Sequence, residues 1–161
     1  MSIMKGKKGI VMGVANERSI AWGIANILAR QGAEIAFTYQ NEGFKKRLVP
    51  LMDSIKSNLC FECDVSQDKD DENSIEHLFK KISKTWNNID FVVHALAYSD
   101  KEELKGKYYK TSIQNFNQSM HISCYSFTEA CRLVEPLMIN GGSILTLTYY
   151  GAELVMPQSC S

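Results

Sequence analysis

The chain has 161 residues, 45% of them hydrophobic and 22% charged, which suits a soluble globular protein of one domain's length. Its 18 basic residues balance 18 acidic ones without a long charge run, which argues against a nucleic-acid or anionic-membrane partner. No stretch reaches ~18 consecutive apolar residues, and Met1 to Gly9 lack the apolar core of a signal segment, so the expected compartment is the cytoplasm.

Residues 8–13 read as a first strand, carrying the run Gly9-Ile10-Val11-Met12. The stretch from Gly13 to Gly23 joins it to a helix over 19–31, with Ile20, Ile24, Ile27 and Leu28 apolar and Gly32 as its stop. A strand, a glycine turn and a helix start present free backbone N–H groups and the positive end of a helix dipole, for which a phosphate is the natural guest. Ser19 is placed to cap this helix, and its hydroxyl also comes within reach of a phosphate oxygen. The spacing is not G-x-G-x-x-G, so an ordinary strand–helix turn stands as the alternative.

Ala33 to Tyr39 reads as a second strand, and 42–56 as a weaker helix that Pro50 is expected to interrupt or kink. Leu59 to Asp64 is a third strand. The polar loop Ser66 to Asn73 leads into a helix with Ile75, Leu78, Phe79 and Ile82 on one face. Ile89 to Leu96 is a fourth strand, apolar nearly throughout and so expected to be buried on both faces. A charged loop, Asp100 to Lys110, precedes a long helix from Ile113 to about Leu137, and Gly141-Gly142 opens a fifth strand, Ser143 to Thr148. Strands alternating with helices, without internal repeat or linker, predict an α/β fold, a Rossmann-like doubly wound parallel sheet.

Ligands of such sheets sit outside the carboxyl ends of the strands, where strand order reverses. Gly13, Tyr39–Gln40, Asp64–Val65, His94–Ala97 and Thr148–Tyr149 are therefore expected around one crevice. Gln40 follows Gly13 by 27 residues, near where dinucleotide sites often carry a carboxylate for the ribose. Uncharged Gln40 can still hydrogen-bond a ribose, no Arg follows immediately, and Lys45, Lys46 and Arg47 can be a solvated helix face; NADH is favoured over NADPH. The Asp64 carboxylate could accept from an adenine amino group while the Val65 backbone reads the ring edge; a turn cap is the competing role for Asp64. Leu96 between two alanines suits either a close cofactor or plain packing. His94, inside an apolar strand, reads as a core histidine before a catalytic one. Tyr149 could polarise a carbonyl over a nicotinamide, or it and Tyr150 could be packing aromatics.

An odd count of 5 cysteines suggests reduced thiols. Cys60 and Cys63 fall on opposite strand faces, whereas Cys124 and Cys131, seven apart on a helix, share a face that reads as core. His77, His94 and His121 complete no zinc-type cluster, so no metal is expected.

Together these residues resemble the NADH-dependent bacterial enoyl-[acyl-carrier-protein] reductase family of the short-chain dehydrogenase superfamily. The likeness is carried by Gly13-Val14-Ala15 with Ser19-Ile20-Ala21-Trp22-Gly23, by Gly32 to Asn41, by Cys63-Asp64-Val65, by Val93 to Ala97, by Ile122 to Phe127 and by Leu145 to Glu153. It implies reduction of the trans-2 double bond of an acyl thioester held on acyl carrier protein, in fatty-acid elongation, through an enolate. It implies Gly13, Ser19 and Ile20 at the pyrophosphate, Gln40 at the adenosine ribose, and Asp64 and Val65 at adenine. Leu96 would lie at the nicotinamide half, Ser99 beside the acyl substrate, and Tyr149 would be the outer of two active-site tyrosines. A ketoacyl reductase of the same superfamily is the alternative chemistry, against which Ser19-Ile20-Ala21 and Gln40 argue.

The family also has a second Tyr ten residues after the first and a Lys seven further on. Here Ser159 stands at the first position, and the second falls beyond Ser161. Family-like residues persist to Pro157, so residues 1–161 read as a dinucleotide-binding domain incomplete at its C-terminus, from a frameshift, a premature stop or a split gene. On that reading the chain is inactive alone: a nucleotide-binding remnant, or one half of a split enzyme. Strand five would be an apolar edge, and the family's homotetramer would lack much of its interface.

Overall fold

Short β-branched and aromatic runs form the strands, and the amphipathic segments between them cover both faces of one sheet. The computed structural model describes residues 2–105 and 107–153. In chain order its elements are β1 (Lys8–Met12), α1 (Ile20–Arg30), β2 (Glu34–Tyr39), α2 (Glu42–Ser54), β3 (Leu59–Glu62), α3 (Ile75–Ser83), β4 (Phe91–His94), α4 (Ile113–Met120), a π turn (His121–Tyr125), α5 (Ser126–Val134) and β5 (Ser143–Thr146). The sheet runs β3-β2-β1-β4-β5, with every neighbouring pair parallel. Gly9 of β1 pairs with Ile35 on one side and Phe91 on the other, so strands are added outward in one direction up to β3 and in the other from β4, and strand order reverses between β1 and β4. This is the doubly wound arrangement expected from the sequence.

Alternation along the strands divides the core. Ile10, Met12, Ala36 and Val92 pack with Ile75, Leu78, Phe79 and Ile82 of α3 and with Ala130 and Val134 of α5. Val11, Ile35, Phe37, Phe91 and Val93 pack with Ala21, Trp22 and Ala25 of α1 and with Leu48 and Met52 of α2. All four residues of β4 are buried, as expected for a strand covered on both faces. Cys60 packs with the second group and Cys63 with the first, so the two thiols lie on opposite faces of the sheet.

Of the interruption or kink expected at Pro50, the interruption does not occur: α2 runs through it from Glu42 to Ser54. A proline removes one helical bond, to the carbonyl four residues back. Lys46 and Pro50 are both exposed, so water can satisfy that carbonyl, while buried Leu48 and Met52 anchor the helix on either side.

The long helix also differs from expectation. It changes to a π turn at His121–Tyr125, resumes as α5, and tightens to a 3-10 turn at Glu135–Leu137, where Pro136 sits at the start. A π turn spends an extra residue per turn and so rotates the face presented on one side relative to the other. The predicted core pair is overturned on that account: Cys124 is exposed and Cys131 only half-buried. No helix among the described residues is long and apolar enough to cross a membrane.

Candidate functional site

The ends of β1 and β4 meet at Gly13. Its φ of +94° is left-handed, and a Cβ there would overlap the Ala95 carbonyl oxygen, so glycine is required by the close approach of the two strands. Beyond it the chain turns into α1. Ser19 occupies the N-cap position, yet its hydroxyl makes no cap bond to the helix, which corrects the expected role. Instead Ser19 Oγ accepts from the Ala15 and Asn16 N–H groups, both at 3.0 Å, and buttons the loop closed. Those two donors are therefore taken. The first bond of the helix runs from the Gly23 N–H to the Ser19 carbonyl, so the N–H groups of Ile20, Ala21 and Trp22 have no acceptor within it. An anion arriving here meets the first turn of α1 and the O–H of Ser19.

A crevice of about 260 Å³ opens at the carboxyl ends of the strands. Gly13, Gln40, Asp64, Val65 and Leu96 line it together, with Ala95, Ala97, Tyr98 and Ile122. Ser19, Ile20, Ser99 and Tyr149 stand outside that lining, as do His94 and Thr148. Strand order sets the sequence of groups along the opening: Asp64 after β3, Gln40 after β2, Gly13 after β1, Leu96 after β4. At ~4.8 Å per strand these four span about 14 Å.

At one end of the crevice the polar groups are bonded to each other. Gln40 Nε2 donates to Asp64 Oδ2 at 3.0 Å. Asp64 Oδ1 accepts from the Ser66 N–H at 2.9 Å and from the Ser66 hydroxyl at 2.7 Å. Partial burial would raise the Asp64 pKa, but the hydrogen bonds from Ser66 and Gln40 outweigh it and hold the carboxyl below its ordinary value. Asp64 thus caps the 64–66 turn, the competing role read from the sequence, while it lines the crevice. Cys63 beside it is buried, and desolvation pushes its thiol up to about 12, so it is an inert wall.

At the other end the loop after β4 is fastened to the long helix. Ser123 Oγ accepts from the Tyr98 N–H at 3.0 Å, and Asn115 Oδ1 accepts from the Asp100 N–H at 2.9 Å. Asn115 Nδ2 donates to Ser99 Oγ at 3.3 Å. Glu103 receives the N–H and the hydroxyl of Ser112, the N-cap residue of α4. Tyr98 and Ile122 were not singled out from the sequence. Tyr98 continues the Ala95-Leu96-Ala97 segment, whereas Ile122 reaches the crevice from the π turn, which no helical period foretells.

His94 is fully buried and its imidazole is bonded within the core; desolvation lowers its pKa. Tyr149 is 57% exposed, its ring lying over Gly151, where a Cβ would strike it. Ser159 lies outside the described residues. Among the described residues no group of three His, Cys, Asp or Glu is placed to hold a metal ion.

The crevice thus carries a carboxylate and an amide at one end and an apolar wall at the other, with the first turn of α1 outside its lining. The model of the family described as enoyl-(acyl carrier protein) reductase matches residues 13–160. The chain belongs to that family. The NADH enoyl-[acyl-carrier-protein] reductase FabI of Rickettsia prowazekii is 50% identical over 155 residues, covering 96% of this chain and 58% of that protein. Enoyl-[acyl-carrier-protein] reductase [NADH] 1 of Rhizobium meliloti is 52% identical, with 96% of this chain and 56% of the relative covered. Among solved structures, the Anaplasma phagocytophilum reductase in complex with NAD superposes with a TM-score of 0.89 at 57% identity, over 96% of this chain and 58% of the other. The Bacillus cereus reductase with NADP+ and indole naphthyridinone gives 0.91 at 38%, over 98% and 61%. The chain thus spans less than two thirds of the enoyl reductases it matches.

Proposed function

We propose that the crevice binds NADH and serves the reduction of trans-2-enoyl thioesters carried on acyl carrier protein. The observation that carries this reading is the row Asp64, Gln40, Gly13, Leu96 across the carboxyl ends of four parallel strands, beside the exposed first turn of α1. In it Asp64 accepts from the adenine amino group, Gln40 meets the ribose, and the Ile20 and Ala21 N–H groups with the Ser19 hydroxyl hold the pyrophosphate. The Ala95–Ala97 wall excludes water from the nicotinamide side, with Ser99 toward the acyl chain and Tyr149 at the outer rim. The chemistry NADH supplies when bound is hydride donation to the β-carbon of the thioester. Gln40 carries no charge against a 2′-phosphate, but neither does it offer a cation to one, which favours NADH over NADPH. A cytoplasmic location belongs to the same reading, and the exposed Phe116, Met120 and Tyr125 on the long helix support self-assembly through that face.

Turnover needs a proton donor and a group to hold the nicotinamide ribose, and residue 159 is Ser, shorter than a phenol. Loss of one electrostatic stabiliser typically costs on the order of 10²–10³ in rate. The polypeptide of residues 1–161 is therefore expected to bind NADH saturably, followed by nicotinamide fluorescence, and to consume none with a crotonyl thioester. Absence of binding would remove the proposal, and brisk turnover would show that Tyr149 suffices.

A further inference from the structure

Ser66 follows the adenine-facing residues and has no place in the site as read from the sequence. It makes two bonds to the Asp64 carboxylate, from the hydroxyl at 2.7 Å and from the N–H at 2.9 Å. Both go to the same oxygen. A carboxylate offers about four acceptor positions, two on each oxygen. Ser66 fills both positions on Oδ1, and Gln40 Nε2 takes one on Oδ2 at 3.0 Å. Oδ1 is then full, and the acceptor capacity left for a ligand lies on Oδ2, the oxygen bonded to Gln40; the Gln67 side chain also stabilises this carboxylate.

We propose that Ser66 is a positioning residue for base recognition: by saturating Oδ1 it fixes the Asp64 carboxylate so that Oδ2 presents an acceptor to the ligand. This rests on the reading of the crevice as an NADH site and deepens it. A carboxylate acceptor selects a ring bearing an exocyclic amine and rejects one bearing a carbonyl at the same position, whose oxygen would face the negative charge. Without the hydroxyl, Oδ1 keeps only the backbone bond, the carboxylate is held less firmly, and the selection weakens. A looser carboxylate also loosens Gln40 and the ribose end.

The test compares reduced nicotinamide adenine dinucleotide with its hypoxanthine analogue, which replaces the amine by a carbonyl. Each is titrated into the 161-residue polypeptide and followed by nicotinamide fluorescence. Wild type should favour the adenine form by about tenfold. Ser66→Ala should bind NADH about five- to tenfold more weakly and bring the two nucleotides within about twofold of each other. Ser66→Thr and Ser66→Val have nearly the same shape and differ by the hydroxyl; Thr should keep the preference and Val should lose it. A merely structural role would weaken both nucleotides alike and leave their ratio unchanged, which would overturn the proposal, as would equal ratios in the Thr and Val variants. Wild type binding neither nucleotide would overturn the NADH reading itself, and this inference with it.

Discussion

Ser126 Oγ lies 2.7 Å from His94 Nε2, and its own proton goes to the Ile122 carbonyl, also at 2.7 Å. One hydroxyl carries one proton, so Ser126 must accept from His94, and the imidazole is the neutral tautomer protonated at Nε2. Nδ1 is then the acceptor facing the Thr146 hydroxyl, 3.5 Å away on β5. The buried histidine thus ties β4 to the long helix at the turn that carries Ile122 into the crevice.

This network makes stability depend on pH. Burial lowers the His94 pKa, so the unfolded chain takes up the proton before the folded one does. Stability from this residue is complete above the unfolded value of about 6.5 and is lost as pH falls below it, toward the lower folded value. Thermal melts at pH 7.5, 6.5 and 5.5 should show a falling midpoint. His94→Gln should cost roughly 1–2 kcal/mol at pH 7.5 yet flatten that fall. An unchanged slope in the variant would mean that His94 is not the titrating group.

Gly13 is predicted to be irreplaceable for folding as well as for binding. An alanine there meets both the positive φ and the Ala95 carbonyl. The combined strain and overlap should cost about 3 kcal/mol or more, lowering the melting midpoint by roughly 6–12 °C. A Gly13→Ala variant that melts with wild type would show that β1 and β4 do not approach as closely as described.

The sheet ends, among the described residues, on β5, with Leu145 43% exposed and Leu147, just past the strand, 41% exposed. An apolar strand with an unpaired edge templates association. Leu145→Lys should raise the concentration at which the 161-residue polypeptide stays monodisperse in light scattering, with NADH affinity unaltered. Equal aggregation of both proteins would place the sticky surface elsewhere, with the α4–α5 face as the next suspect.

What could be read in advance followed from periodicity. Hydrophobic spacing placed Ile75, Leu78, Phe79 and Ile82 on one buried face, and strand parity separated Cys60 from Cys63, because both depend only on backbone geometry. Errors arose where a side chain redirected the backbone or the helical period changed. Ser19 sits where a cap should be but closes the Ala15–Asn16 loop, since its hydroxyl meets those N–H groups before the helix's own. Pro50 carries a strong helix-breaking signal, yet the carbonyl it strands is exposed and two buried neighbours outweigh it. Cys124 was misplaced because a π turn leaves no mark in a pattern counted at 3.6 residues per turn. Ser66 escaped notice because a serine in a polar loop looks like any other until its partner is known.

The central claim is that a dinucleotide lies across the carboxyl ends of β3, β2, β1 and β4. Amide hydrogen exchange of the 161-residue polypeptide, with and without saturating NADH, tests it most directly. Binding should slow exchange in 13–23, 40–41, 63–67 and 95–98 together, and leave α3 and the 141–146 segment unaffected. Saturable binding that protects other segments, or no protection at 63–67, would contradict it.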